Sequence, residues 1–178
     1  MKKNILIPLI SIVAAGLILF GAAIGLKGIA QSNAQKEHLR LMQTLLPGSE
    51  SFLLEEYTGE DANIRSVHKA DSGFVIETAT QGYADEIIVL VGVSKEGSVT
   101  GLVVREMHET PGLGFNALTD WKFLSQFLRT EGDAEVGKDV DAITGATVTS
   151  KAITRCVNSA VRYVTGADAD SGATSWGG

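Results

Sequence analysis

The chain has 178 residues, 15 basic and 21 acidic side chains, a formal net charge of −6 and 44% hydrophobic residues. That supplies one hydrophobic core with apolar residues to spare, and the acidic balance argues against nucleic acid as a partner. The lone Cys156 excludes an internal disulfide and a cysteine-held iron–sulfur centre.

Lys2 and Lys3 precede an uncharged, mostly apolar run of 22 residues, 5–26. Such a run is long enough to cross a hydrocarbon core of about 30 Å. The positive-inside rule keeps residues 1–4 as a cytoplasmic stub and sends the rest outside. Ser32-Asn33-Ala34 has the spacing of a signal-peptide cleavage site. The apolar run is longer than a usual signal core of about 7–15 residues, so a retained single transmembrane helix is the preferred reading. Setting aside Lys2, Lys3 and Lys27 leaves 12 of the 15 basic residues against all 21 acidic ones, a formal charge of −9.

Residues 27–60 read as a helical connector. Within it, 31–46 is amphipathic, with Leu39, Met42, Leu45 and Leu46 on one side. Pro47-Gly48 ends that helix, and a less regular stretch runs to Asp61. A domain spanning 61–166 follows, with a flexible tail at 167–178. Strands are expected at Ile64–Lys69, Phe74–Thr80, Glu86–Ser94 and Ser98–Met107. Asp71-Ser72-Gly73 and Lys95-Glu96-Gly97 are turn signals between them. The fold class is therefore α+β: a largely antiparallel sheet flanked by helices, behind an N-terminal transmembrane helix.

The last strand delivers His108-Glu109-Thr110-Pro111-Gly112-Leu113-Gly114 to a loop. Taken alone, this is a rigid strand-to-helix connection, and His108 has no partner that marks it as a catalytic acid. A helix over Leu118–Leu128 would pack Trp121, Leu124, Phe127 and Leu128, with Trp121 read as a core aromatic. Gly132–Lys138 is a loop. A final amphipathic helix carries Ile153, Cys156, Val157, Ala160, Val161 and Val164 on its apolar face, so Cys156 is a small core residue.

Before that helix stands Asp141-Ala142-Ile143-Thr144-Gly145-Ala146-Thr147-Val148-Thr149-Ser150. Thr147 and Thr149 fall at or just before the helix N-terminus. Unpaired N–H groups and the positive end of the dipole favour a phosphate there. Gly145 and Ala146 leave room for a bulky group. On helix chemistry alone, Thr147, Thr149 or Ser150 is simply an N-cap.

Asp141 to Thr147 resembles the Asp-x-x-(Ser/Thr)-Gly-Ala-Thr flavinylation motif. His108 to Gly114 resembles a His-x-Glu-Thr-Pro-Gly-Leu-Gly segment of FMN-binding domains in ion-pumping electron-transfer complexes. With the membrane segment, the pair is similar to the family of Rnf-complex G subunits, whose nearest relative is the C subunit of the sodium-pumping NADH:quinone reductase. The resemblance implies a covalent FMN joined by a phosphoester to Thr147, delivered from FAD by a separate flavin transferase. It places Asp141, Thr144, Gly145 and Ala146 around the attachment point, and Glu109, Thr110, Gly112 and Leu113 near the flavin. Gly82-Tyr83 matches a Gly-Tyr pair of the family, without the glycines that follow it there, so Tyr83 is carried over with a doubtful backbone contact.

The resemblance further implies a membrane-anchored electron-carrier subunit of an ion-translocating complex that couples ferredoxin and NAD⁺ to Na⁺ or H⁺ movement. The other subunits, the transferase and membrane lipid are its expected partners, and the FMN domain lies on the extracytoplasmic side of the cell membrane. Such a protein is a carrier within an oxidoreductase; no catalytic residue and no metal site are assigned. Two alternatives stand beside it: a stand-alone extracytoplasmic flavoprotein reductase, and a non-redox anchored ligand-binding module. A second motif-like string, Asp168 to Thr174, sits in the polar tail with no helix after it, which favours Thr147 over Thr174 as acceptor.

Overall fold

The computed structural model describes residues 33, 35–107, 120–128 and 130–166. The expected transmembrane helix at 5–26, the stub before it, the loop at 108–114 and the tail at 167–178 lie outside the described residues. Among the described residues, no helix is long and apolar enough to cross a membrane.

The chain divides into two units, Met1–Leu41 and Met42–Gly178. Residues 35–45 are helical (α1). In the first unit the described residues of α1 are mostly exposed, including Leu39, which the sequence pattern assigned to a packing face. In the second unit Met42, Leu45 and Leu46 are buried.

The second unit is built on a five-stranded sheet in chain order: β1 (Leu53–Glu55), β2 (Ile64–Ala70), β3 (Gly73–Gln81), β4 (Glu86–Ser94) and β5 (Val99–Met107). Every neighbouring pair is antiparallel. Consecutive strands joined by short turns pair with their sequence neighbours, which gives a simple meander. β1 falls in the stretch up to Asp61 that the sequence left irregular, within the 27–60 connector. Its three residues are too short for a periodic signal, and all three are exposed at the sheet edge.

Residues 147–165 form the long helix that covers one face of the sheet, packing on β3 and β4. That face carries Ile76, Ile87, Val89, Val91 and Val93, buried against Ile153, Cys156, Val157, Ala160 and Val161 of the helix. Each valine or isoleucine among them, removed from water, contributes about 1.5–3 kcal/mol before entropy is counted. The opposite face carries Val75 and Leu90, also fully buried. Here residues 42–49 cross the sheet. The Thr100 hydroxyl donates to the Leu45 carbonyl at 2.6 Å, and the Ser49 and Ser72 hydroxyls are 2.6 Å apart. Paired Gly92 and Gly101 lie beneath Leu45, and a Cβ at Gly92 would run into the Leu45 carbonyl. With both faces covered at its centre, β4 is an almost unbroken apolar run.

A short helix, α2 (Trp121–Leu124), and a 3₁₀ turn at Ser125–Phe127 replace the longer helix expected over 118–128, of which 118 and 119 lie outside the described residues. Asp120 caps α2 by accepting the Phe123 N–H at 3.1 Å. Phe123 and Phe127 are buried edge-to-face at 5.3 Å. Trp121 is 70% exposed, which corrects its reading as a core aromatic. In so short an element the buried side chains are set by where Phe123 and Phe127 meet the sheet, and Trp121 faces away from them.

Candidate functional site

The long helix α3 (Thr147–Thr165) begins at Thr147, with Ala146 in the N-cap position and no side chain capping it. None of Thr147, Thr149 and Ser150 serves as the N-cap. Ser150 is buried one turn into the helix. Its hydroxyl donates to the Ala146 carbonyl at 2.9 Å and accepts the Ile143 N–H at 3.1 Å. Thr149 is also buried, whereas Thr147 and Val148 are exposed. The uncapped first turn of a 19-residue helix thus presents Thr147 to solvent at the end of the dipole that favours an anion.

A tight turn leads into the helix. The Ala146 N–H bonds to the Ile143 carbonyl at 2.9 Å, and Gly145 has φ of 78°. A positive φ at the third turn position is the type II pattern, which glycine adopts without strain. Ala146 is buried, so a small side chain is needed there, while Asp141, Thr144, Gly145 and Thr147 are all exposed. Upstream, Asp141 is held through its backbone by Gln126. The Gln126 Oε1 accepts the Asp141 N–H at 2.8 Å, and its Nε2 donates to the Asp141 carbonyl at 3.3 Å. A further amide clamp fixes the preceding loop: Asn158 accepts the Ala134 N–H at 3.2 Å and donates to its carbonyl at 2.9 Å. Val136 and Val140 form an isolated parallel bridge that closes this loop.

Contacts along α3 fix its direction. Tyr163 meets Phe74 at the start of β3, with ring centroids 5.7 Å apart, and the Arg155 guanidinium donates to the Gln81 carbonyl at its end, at 3.3 Å. The helix therefore runs antiparallel to β3. Thr147, eight residues before Arg155, lies about 12 Å further along the helix axis. That end of the sheet also holds the β3–β4 turn, with Tyr83 72% exposed, and the end of β5, where Met107 pairs with Ile87. Asp141, Thr144, Gly145, Ala146 and Thr147 are brought together as one segment, and Tyr83 belongs to the same end of the sheet. Glu109, Thr110, Gly112 and Leu113 lie outside the described residues. Among the described residues, no group of acidic, His and Cys side chains could hold a metal ion.

Cys156 is sealed beneath α3. Burial pushes its thiol up to about 12, against a smaller opposing hydrogen bond with Thr78. It is a packing residue in this geometry, not a nucleophile. Sequence reasoning missed Gln126 and the actual role of Ser150. A glutamine on a short polar helix face carries no signal of a backbone partner 15 residues away, while a hydroxyl near a helix start pointed to a cap.

Exposed threonine, uncapped helix start and positive-φ glycine together make a segment that favours an anion, on an α+β domain. Residues 82–162 match the FMN-binding domain family, a span that contains Tyr83, Asp141 to Thr147 and most of α3. The G subunit of the Na(+)-translocating ferredoxin:NAD(+) oxidoreductase complex of Acetobacterium woodii is 38% identical over 119 residues, 62% of this chain and 55% of the relative. The G subunit of the proton-translocating ferredoxin:NAD(+) oxidoreductase complex of Clostridium ljungdahlii is 39% identical over 99 residues, 52% of this chain and 53% of the relative. The chain thus spans about half the length of these relatives. The G subunit of the ion-translocating oxidoreductase complex of Pseudomonas aeruginosa is 30% identical over 187 residues, covering 92% of this chain and 87% of the relative. The chain belongs to the family of G subunits of ion-translocating oxidoreductase complexes.

Proposed function

We propose that this protein is an electron-carrier subunit with FMN attached covalently to Thr147, working within an ion-translocating oxidoreductase complex of the Rnf type. The observation that carries the reading is the exposed, uncapped Thr147 at the head of α3, inside both the Asp141–Thr147 motif and the FMN-binding domain match. In maturation, the Thr147 hydroxyl oxygen bonds to the FMN-side phosphorus of FAD. The pyrophosphate P–O bond breaks, AMP leaves, and the hydroxyl proton passes to water. No electrons are exchanged, and a separate flavin transferase performs the step.

The residues present suit the group. The first-turn N–H groups of α3 stabilise the phosphodiester charge, and Gly145 and Ala146 keep the approach clear. Thr144 and Asp141 flank the phosphate, with Asp141 serving the transferase. Tyr83 and the Glu109, Thr110, Gly112 and Leu113 segment border the flavin. Bound FMN supplies the redox chemistry; the protein binds, orients and shields it. Residues 5–26 anchor the chain in the lipid of the cell membrane, with the FMN domain on the extracytoplasmic side. The complex couples ferredoxin and NAD⁺ to cation movement. Relatives named for Na⁺ and for protons match at nearly equal identity, 38% and 39%.

Affinity purification of the full chain from its native membrane tests this reading. Covalent flavin on the chain, sibling membrane subunits in the same fraction, and bleaching of the flavin absorbance by the complex's electron donor are expected. A chain that purifies alone and stays colourless contradicts it.

A further inference from the structure

Gln126 reaches from the turn after α2 to Asp141, 15 residues away, and satisfies both its backbone groups at 2.8 and 3.3 Å. One carboxamide thus supplies an acceptor and a donor together, as a neighbouring strand would. The anchor beneath it is firm, because Gln126 sits between buried Phe123 and Phe127, and its Nε2 also lies 3.4 Å from the Phe123 carbonyl. Asp141 itself is exposed. The other end of the segment is already fixed by the Ile143–Ala146 turn and by α3. Asp141 is the end that relies on a side chain from another element.

We propose that Gln126 is the positioning residue of the acceptor site: by clamping the Asp141 backbone it fixes the Asp141 carboxylate relative to the Thr147 hydroxyl, so that a flavin transferase meets both groups prearranged. The proposal rests on Thr147 being the acceptor. Gln126 touches neither the phosphorus nor the reacting oxygen. It acts by removing conformations that the transferase would otherwise have to select, and that saving appears in recognition rather than in chemistry. Freeing one residue's backbone corresponds to a loss on the order of tenfold.

The test uses the full chain, produced without transferase and then given transferase, FAD and Mg²⁺, with incorporation followed by intact mass. Gln126→Ala is expected to raise the KM for the protein acceptor on the order of tenfold, with kcat and melting temperature close to those of the unaltered protein. Gln126→Glu, which keeps the acceptor for the Asp141 N–H and loses the donor to its carbonyl, falls between. In the unmodified protein, Gln126→Ala speeds hydrogen exchange at the Asp141 N–H. Asn158→Ala removes the equivalent clamp on Ala134, lowering the melting temperature while leaving KM unchanged. Unaltered KM in Gln126→Ala, or an equal KM rise in Asn158→Ala, overturns the proposal while leaving Thr147 as acceptor. Failure of the unaltered chain to accept flavin, with a control acceptor labelled, removes both.

Discussion

The Ser150 hydroxyl accepts the Ile143 N–H at 3.1 Å, joining the buried first turn of α3 to the start of the tight turn before it. The same oxygen donates to the Ala146 carbonyl at 2.9 Å, so one side chain ties both ends of the turn that delivers Thr147. Ser150→Ala leaves the Ile143 N–H without this partner in a part-buried place. The expected cost is about 1–3 kcal/mol. Urea denaturation should show a lower midpoint with an unchanged slope.

Gly92 lies where the backbone at Leu45 presses on the sheet. A methyl group there meets the Leu45 carbonyl oxygen and lies 2.8 Å from its carbon, both backbone atoms that cannot swing aside. Gly92→Ala is expected to destabilise the domain by about 1–3 kcal/mol. Protease digestion should then cut within residues 42–49 sooner than in the unaltered protein, because that segment is what the methyl displaces.

The aromatic residues around α2 separate by exposure. Phe127 is fully buried and Trp121 is 70% exposed. Phe127→Ala should cost about 3–5 kcal/mol. Trp121→Ala should change stability by less than about 0.5 kcal/mol. Thermal melts of the two variants check this, and an equal loss in both would mean that Trp121 is packed after all.

Burial raises the Cys156 thiol to about 12 from an ordinary value of 9.0. Between those values the unfolded chain loses the proton and the folded chain keeps it. The contribution to stability is whole below pH 9.0 and declines as pH rises toward about 12. The slope is about 1.4 kcal/mol per pH unit at most. Cys156→Ala should flatten that part of the pH–stability curve. Alkylation of Cys156 at about pH 8, below the ordinary thiol range, should require opening of the fold and be far slower than in the denatured chain.

The sheet was legible because its signals are local. Glu86–Ser94 is bounded as its apolar run implies, while β2 and β5 differ from expectation by one residue at one end and β3 by one residue at each end. The buried stripe of α3 follows its 3.6-residue period. What escaped is tertiary. β1 exists because β2 offers it an edge, and its exposed Leu53 and Leu54 carry no pattern. Trp121 looked like core because its spacing to Leu124 and Phe127 fits a long helix that α2 is not. At Asp141 to Ser150 the sequence indicated a helix start with hydroxyls near it. Which hydroxyl is buried and which is free depends on how α3 lies on the sheet: Ser150 turns inward and Thr147 outward.

Covalent flavin on Thr147 is tested most directly by peptide mass spectrometry on the full chain co-produced with a flavin transferase, beside in-gel flavin fluorescence after denaturation. An FMN phosphodiester is expected on the peptide containing Thr147, and it should be lost together with the fluorescence in Thr147→Ala. An adduct confined to Thr174, or an unmodified Thr147 peptide while a control acceptor is fully labelled, would contradict attachment at Thr147.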